Sequence, residues 1–222
     1  MSPAAEEFAN LKREVHPLAA LLGGLARLIS GIRVRWLDCK PDTRQRVYFA
    51  NHTSHLDFVV LWAVLPPQVQ ALARPVAAKD YWEKGHLRRY LAARVFRAVL
   101  IERRFPSGQG ALTAARHTID RLVDALGERH SLIVFPEGTR GSGEEVAPFK
   151  SGLYHLCRRK PELQLVPVYI ENLNRVLPRG EFLPLPLLSM VTFGSPLRLE
   201  AEETKTAFLE RAREALVRLG RT

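Results

Sequence analysis

Apolar positions along this chain alternate between two rhythms. Short runs at 46–50, 131–135 and 165–170, apolar except for Arg46 and Ser131 at the head of the first two, are too short for helices and read as strands buried on both faces. Between them, apolar residues recur at i, i+3, i+4 and i+7, the spacing of a helix with one covered face. In chain order the pattern predicts an amphipathic helix over 15–31, strands over 32–37 and 46–50, and a helix over 55–65 that stops at Pro66-Pro67. A strand over 71–78, a helix over 81–94, a strand over 99–102 and a helix over 109–126 come next. The strand at 131–135, a helix over 151–159, strands over 165–170 and 190–193, and a helix over 202–219 complete the series. Such alternation predicts an α/β fold, a mixed and largely parallel sheet flanked by helices. No repeat or linker divides it, so the expected organisation is a helical segment over 1–31 and one domain over 32–222.

The first helix carries Leu18, Leu21, Leu22, Leu25 and Leu28, with Lys12, Arg13 and Arg27 nearby. Its uncharged core falls short of the roughly 20 residues that cross a bilayer. It therefore either covers the domain or lies in a membrane interface, and Gly23-Gly24 with the flanking cations favours the interface. Residues 177–188, with three prolines among Phe182, Leu183, Leu185 and Leu187, read as a loop over the core or one that dips into lipid.

Composition changes this picture in one respect. With 46% hydrophobic and 25% charged residues the chain is ordinary for a globular protein, but 33 basic against 23 acidic residues give a net charge of +10. The partner is then anionic: nucleic acid, a phospholipid surface or a phosphorylated substrate. No zinc finger, RNA-binding aromatic motif or basic recognition helix is present, which argues against nucleic acid. Arg88, Arg89, Arg94, Arg97, Arg103, Arg104, Arg158 and Arg159 are read as a face for anionic lipid, each worth about 1 kcal/mol near such a surface. Cys39 and Cys157 have no metal-ligand spacing and fit a reducing compartment, and Glu6 and Glu7 ahead of the apolar stretch argue against a secretory leader.

Candidate chemistry gathers in the turns that follow strands. Asn51-His52-Thr53-Ser54-His55-Leu56-Asp57 joins the second strand to its helix. On one continuous helix, side chains five apart would stand roughly 140° from each other. His52 and Asp57 meet only if His52 precedes the helix and Asp57 lies in its first turn, with Thr53 or Ser54 as N-cap. Asp57 would then accept the Nδ1 proton of His52 and leave Nε2 free as a base. The plainer reading is a capped helix start with exposed histidines. Phe135-Pro136-Glu137-Gly138-Thr139-Arg140 follows another buried strand. There Gly138 permits close backbone approach, Thr139 offers a donor and Arg140 a planar fork for phosphate, although a simple turn with a surface salt bridge has the same composition. Ile101-Glu102-Arg103 ends a short strand, and Lys150 stands near the start of a helix, where anions are favoured.

Taken together and in order, these stretches resemble the lysophosphatidate acyltransferase family. Its Asn-His-x-Ser-x-x-Asp motif is matched at Asn51, His52, Ser54 and Asp57, and its Phe-Pro-Glu-Gly-Thr-Arg motif in full from Phe135 to Arg140. The aliphatic strand ending in Glu-Arg is matched at Ile101, Glu102 and Arg103, without the glycine often found upstream. An aliphatic-Pro-aliphatic strand is matched at Val166, Pro167 and Val168. The resemblance implies a glycerolipid-acyltransferase-like fold and transfer of a fatty acyl group from acyl-CoA or acyl carrier protein to lysophosphatidate, another lysophospholipid or glycerol 3-phosphate. It implies His52 as general base, Asp57 as its partner, and Arg103, Glu137, Gly138, Thr139, Arg140 and Lys150 as the acceptor site. Asn51, Ser54 and Pro167 would support them. No cofactor or metal is expected, and the membrane surface is the expected partner. After Arg140, Gly141-Ser142-Gly143-Glu144-Glu145 departs from the Ser-Arg common in relatives that act on lysophosphatidate, which leaves the acceptor open. A zinc hydrolase built on His52, His55 and Asp57 would leave the Phe135 motif unexplained. A serine hydrolase lacks its Gly-x-Ser-x-Gly elbow.

Overall fold

A computed structural model describes residues 17–54, 57–102, 109–171 and 189–221. Within them, β1 (Arg33–Trp36), β2 (Arg46–Ala50), β3 (Ala73–Ala78), β4 (Val99–Ile101), β5 (Ser131–Val134), β6 (Gln164–Glu171) and β7 (Met190–Phe193) form one sheet. The strand order is β1-β7-β6-β2-β5-β3-β4, and every neighbouring pair is parallel except β6 with β7. The mixed, largely parallel sheet expected from the alternation of elements is therefore present.

β2 is the axis of the molecule, buried along its whole length. Successive side chains of a strand leave opposite faces of the sheet, so each serves a different core. Tyr48 and Ala50 join Ile133, Val166 and Val168 beneath α1 (Pro17–Ser30) and α2 (Asp57–Val64). Val47 and Phe49 join Leu132, Val134 and Leu165 beneath α6 (Gln109–Leu126), α7 (Gly152–Arg159) and α8 (Lys205–Leu219). In α1, Leu18 and Leu22 pack on the first core. A Cβ on Gly23 would sit 3.2 Å from that of Ala63, so a glycine lets α1 cross α2 closely. Leu21 and Leu25 on the same helix stay exposed.

The helix expected to stop at Pro66-Pro67 does so, with α2 ending at Val64. Pro67 then opens a helix the pattern did not predict, α3 (Pro67–Leu72), from its first turn, where its missing N–H has no helical partner to lose, and this helix takes the first two residues of the strand expected over 71–78. The helix expected over 81–94 is broken into α4 (Lys79–Trp82), α5 (His86–Tyr90) and a π-helical turn, Leu91–Val95. Gly85, at φ +93°, makes the first break. Of the arginines read as one lipid face, Arg88 and Arg89 lie on α5, Arg158 and Arg159 lie on α7, Arg97 reaches His130, and Arg103 and Arg104 lie outside the described residues. Residues 177–188 lie outside the described residues.

Pro167 stands inside an interior strand, a place proline normally avoids. β7 pairs no further than Phe193, opposite Val168. The Pro167 carbonyl accepts from Gly194 N at 2.9 Å, so the missing donor faces the chain just past the ladder's end. A Cβ at Gly194 would come within 2.9 Å of Leu219 and 3.1 Å of Pro167, which makes this approach specific to glycine.

Candidate active site

The site lies at the carboxyl ends of β2 and β5. From there the chain leaves β2 for a helix on one face of the sheet, and leaves β5 for a helix on the other. A crevice opens between such diverging connections in sheets of this kind.

α2 begins at Asp57, and His52 precedes it in the loop, the arrangement their spacing demands. His52 Nδ1 lies 2.7 Å from Asp57 Oδ2. The same oxygen accepts the backbone N–H of Thr53 at 2.6 Å and of Ser54 at 2.8 Å. Asp57 is fully buried, and its carboxylate folds the loop back over the start of α2. Three donors on one oxygen orient the carboxylate tightly. The His52 side chain keeps 24% of its surface open to solvent. One face of its ring stacks on Phe135, with centroids 4.4 Å apart and planes inclined by 27°.

Asn51 is held without a role in the crevice. Its Nδ2 donates to Ile170 O at 2.9 Å and its Oδ1 accepts from Ile170 N at 2.8 Å, extending the β2–β6 pairing by one side chain. Ser54 is buried in the same loop.

After β5 the chain turns at once, with Gly138 N donating to Phe135 O at 3.0 Å across Pro136 and Glu137. Proline suits the second position of such a turn. Gly138 follows at φ +73°, favourable only to glycine, and the Lys150 side chain packs 3.3 Å from where a Cβ would stand. Lys150 N in turn donates to Pro136 O at 2.8 Å. Glu137 is 3% exposed. Its Oε1 accepts from His52 N at 2.7 Å and its Oε2 from Ala147 N at 3.0 Å. Gly141 N donates to His52 O at 2.8 Å, so both backbone polar groups of His52 are held by the segment after β5. Burial pushes the Glu137 carboxyl above its usual range, while the two amides and the His52 ring pull it back and Asp57 adds to the rise.

Of the residues singled out from sequence, His52, Asp57, Glu137, Gly138 and Lys150 meet here. Thr139 is exposed and Arg140 half-buried in the segment that continues to Gly141. Pro167 lies deeper, in register with Phe49. Arg103 and His55 lie outside the described residues. Sequence reasoning missed the ring platform of Phe135 and the amides of Gly141 and Ala147. An aromatic at the strand end was a usable signal for the first, whereas backbone donors leave none.

Residues 31–171 match the family model described as Acyltransferase, well over half of the chain, and the chain belongs to that family. It is 26% identical over 187 residues to the 1-acyl-sn-glycerol-3-phosphate acyltransferase of Limnanthes douglasii, a match covering 81% of this chain and 60% of the relative. The protein of the same name from Escherichia coli (strain K12) is 27% identical over 182 residues, covering 74% of this chain and 65% of the relative. The chain thus spans less than two thirds of the length of these curated relatives. The crystal structure of the 1-acyl-sn-glycerophosphate (LPA) acyltransferase from Thermotoga maritima shares the fold, with a TM-score of 0.70 at 18% identity over 99% of this chain and 82% of that one.

Proposed function

We propose that this protein transfers a fatty acyl group from a thioester, acyl-CoA or acyl carrier protein, to the free glycerol hydroxyl of lysophosphatidate, forming phosphatidate. The observation that carries this reading is the His52–Asp57 pair, 2.7 Å apart and beside the Phe135–Arg140 turn. Asp57 accepts the Nδ1 proton, which leaves Nε2 as the basic nitrogen. Nε2 takes the acceptor's hydroxyl proton as the oxygen attacks the thioester carbonyl. Collapse of the tetrahedral intermediate breaks the C–S bond, and the imidazolium returns its proton to the departing thiolate. No enzyme nucleophile is needed, and positioned proton transfer of this kind is worth about 10² to 10⁴ in rate. Arg140, Arg103 and Lys150 would bind the acceptor phosphate, with Thr139 donating beside them. The thioester is a co-substrate, and the chemistry calls for no cofactor.

The names of the relatives support lysophosphatidate as acceptor. Gly141-Ser142-Gly143 followed by two glutamates supports the second reading, another lysophospholipid or glycerol 3-phosphate. The deciding experiment crosses labelled acyl-CoA and acyl carrier protein donors with a panel of these acceptors. Fastest transfer to lysophosphatidate is expected; faster transfer to another acceptor reassigns the substrate, and no transfer to any ends the proposal.

The protein would work at the cytoplasmic face of a membrane, bound peripherally. No helix among the described residues is long and apolar enough to cross a bilayer. The exposed Leu21 and Leu25 of α1, with a net charge of +10, support contact with an anionic surface. Salt-sensitive binding to anionic vesicles is expected, and equal binding to neutral ones would refute it.

A further inference from the structure

We infer that Glu137 is a positioning residue for the catalytic loop, a buried clasp that fixes the His52 backbone. This rests on His52 acting as the base. The carboxylate has two oxygens, and each accepts a backbone N–H from a different segment: His52 N at 2.7 Å and Ala147 N at 3.0 Å. With 3% of the residue exposed, little of it faces a substrate. The second half of the clasp is Gly141 N, which donates to His52 O at 2.8 Å. His52 is therefore gripped at both backbone polar groups by the chain after β5, and at its ring nitrogen by Asp57 from α2. One grip comes from α2, on one face of the sheet, and the others from the loop that leads to α7 on the other. Glu137 thus sets where the imidazole stands relative to an acceptor held by the same turn. A carboxylate is the group the geometry calls for, since two amide donors need two acceptor oxygens. A glutamine offers one oxygen and turns an NH₂ toward the other amide, two donors face to face.

Glu137→Gln tests this in the full chain. A displacement of about 1 Å at a reacting group can cost about 10²-fold. The expected result is a fall in kcat of roughly ten- to a hundredfold, with the acceptor KM unchanged and a shift of the downfield proton resonance of His52 Nδ1–H. A raised acceptor KM with kcat retained would show that Glu137 contacts the acceptor, and wild-type kinetics with an unmoved resonance would show the clasp idle; either overturns the inference. Should the variant not fold, amide hydrogen exchange in the wild-type protein decides. Slow exchange at His52 and Ala147 is required, and fast exchange at His52 overturns the clasp. The exchange measurement needs no turnover, so failure of wild-type transfer counts against the proposed function and leaves the clasp to be judged separately.

Discussion

The two ends of the central strands handle buried charge in opposite ways. At the amino end, cations and amides meet carbonyl oxygens. Arg46 opens β2 at 2% exposure, donating to Lys40 O at 2.8 Å and Gln164 Oε1 at 3.1 Å, with Asp42 3.4 Å away. Gln45 Nε2 donates to Leu126 O at 3.0 Å and Gly127 O at 2.8 Å, and Arg74 to Ala125 O at 3.1 Å. Those carbonyls close α6, where a helix leaves acceptors without partners and favours positive groups. At the carboxyl end the buried groups are carboxylates, Asp57 and Glu137, and they take backbone N–H donors. The direction of the strands explains the sorting, because in parallel α/β units helices end where strands begin and begin where strands end. One difference has functional weight. The amino-end bonds lock loops together, whereas those at the carboxyl end fix a ring that stays partly open to solvent.

The comparison makes graded predictions. His52→Ala should abolish transfer, and Asp57→Asn should reduce it by about 10² to 10⁴, while circular dichroism shows both folded. A near-normal rate in either would separate this end of the sheet from catalysis. Arg46→Met should leave the rate per folded molecule unchanged and lower stability by about 1–3 kcal/mol in chemical denaturation, through acceptors left unpaired. If turnover drops without a stability loss, the two ends are coupled and the contrast fails. The smallest effect is expected at Glu203, whose pairing with Arg211 belongs to neither set of bonds. Its carboxyl is held below the usual range chiefly by the hydrogen bond from Arg211. A depressed carboxylate contributes stability above its unfolded pKa and loses that contribution as pH falls through the folded value. Thermal melts between pH 3 and 6, a window set by the unfolded value near about 4.3, should show a shallower acid decline in Glu203→Gln than in the wild type. An identical decline would mean that the pair adds nothing measurable.

Most of the fold was legible in the chain because burial on both faces writes itself as unbroken apolar runs. β2, β5 and β6 fell where those runs lie. Interruptions were harder to read. Pro66-Pro67 carries the same letters whether it stops a helix or starts one, and nothing local marks the π-helical turn at Leu91–Val95, which brings Ala92 and Val95 into the interior. The pairing of His52 with Asp57 was legible too, since their spacing leaves one geometry in which they meet.

Residue types and local spacing thus determined the α/β class, the order of the elements and the histidine–carboxylate pair, because each depends on neighbours a few positions away. Tertiary structure alone decided what holds that pair in place. The amides that hold Glu137 sit 85 residues before it and 10 after it. Every residue but proline carries such a donor, so no letter of the sequence records which of them is used.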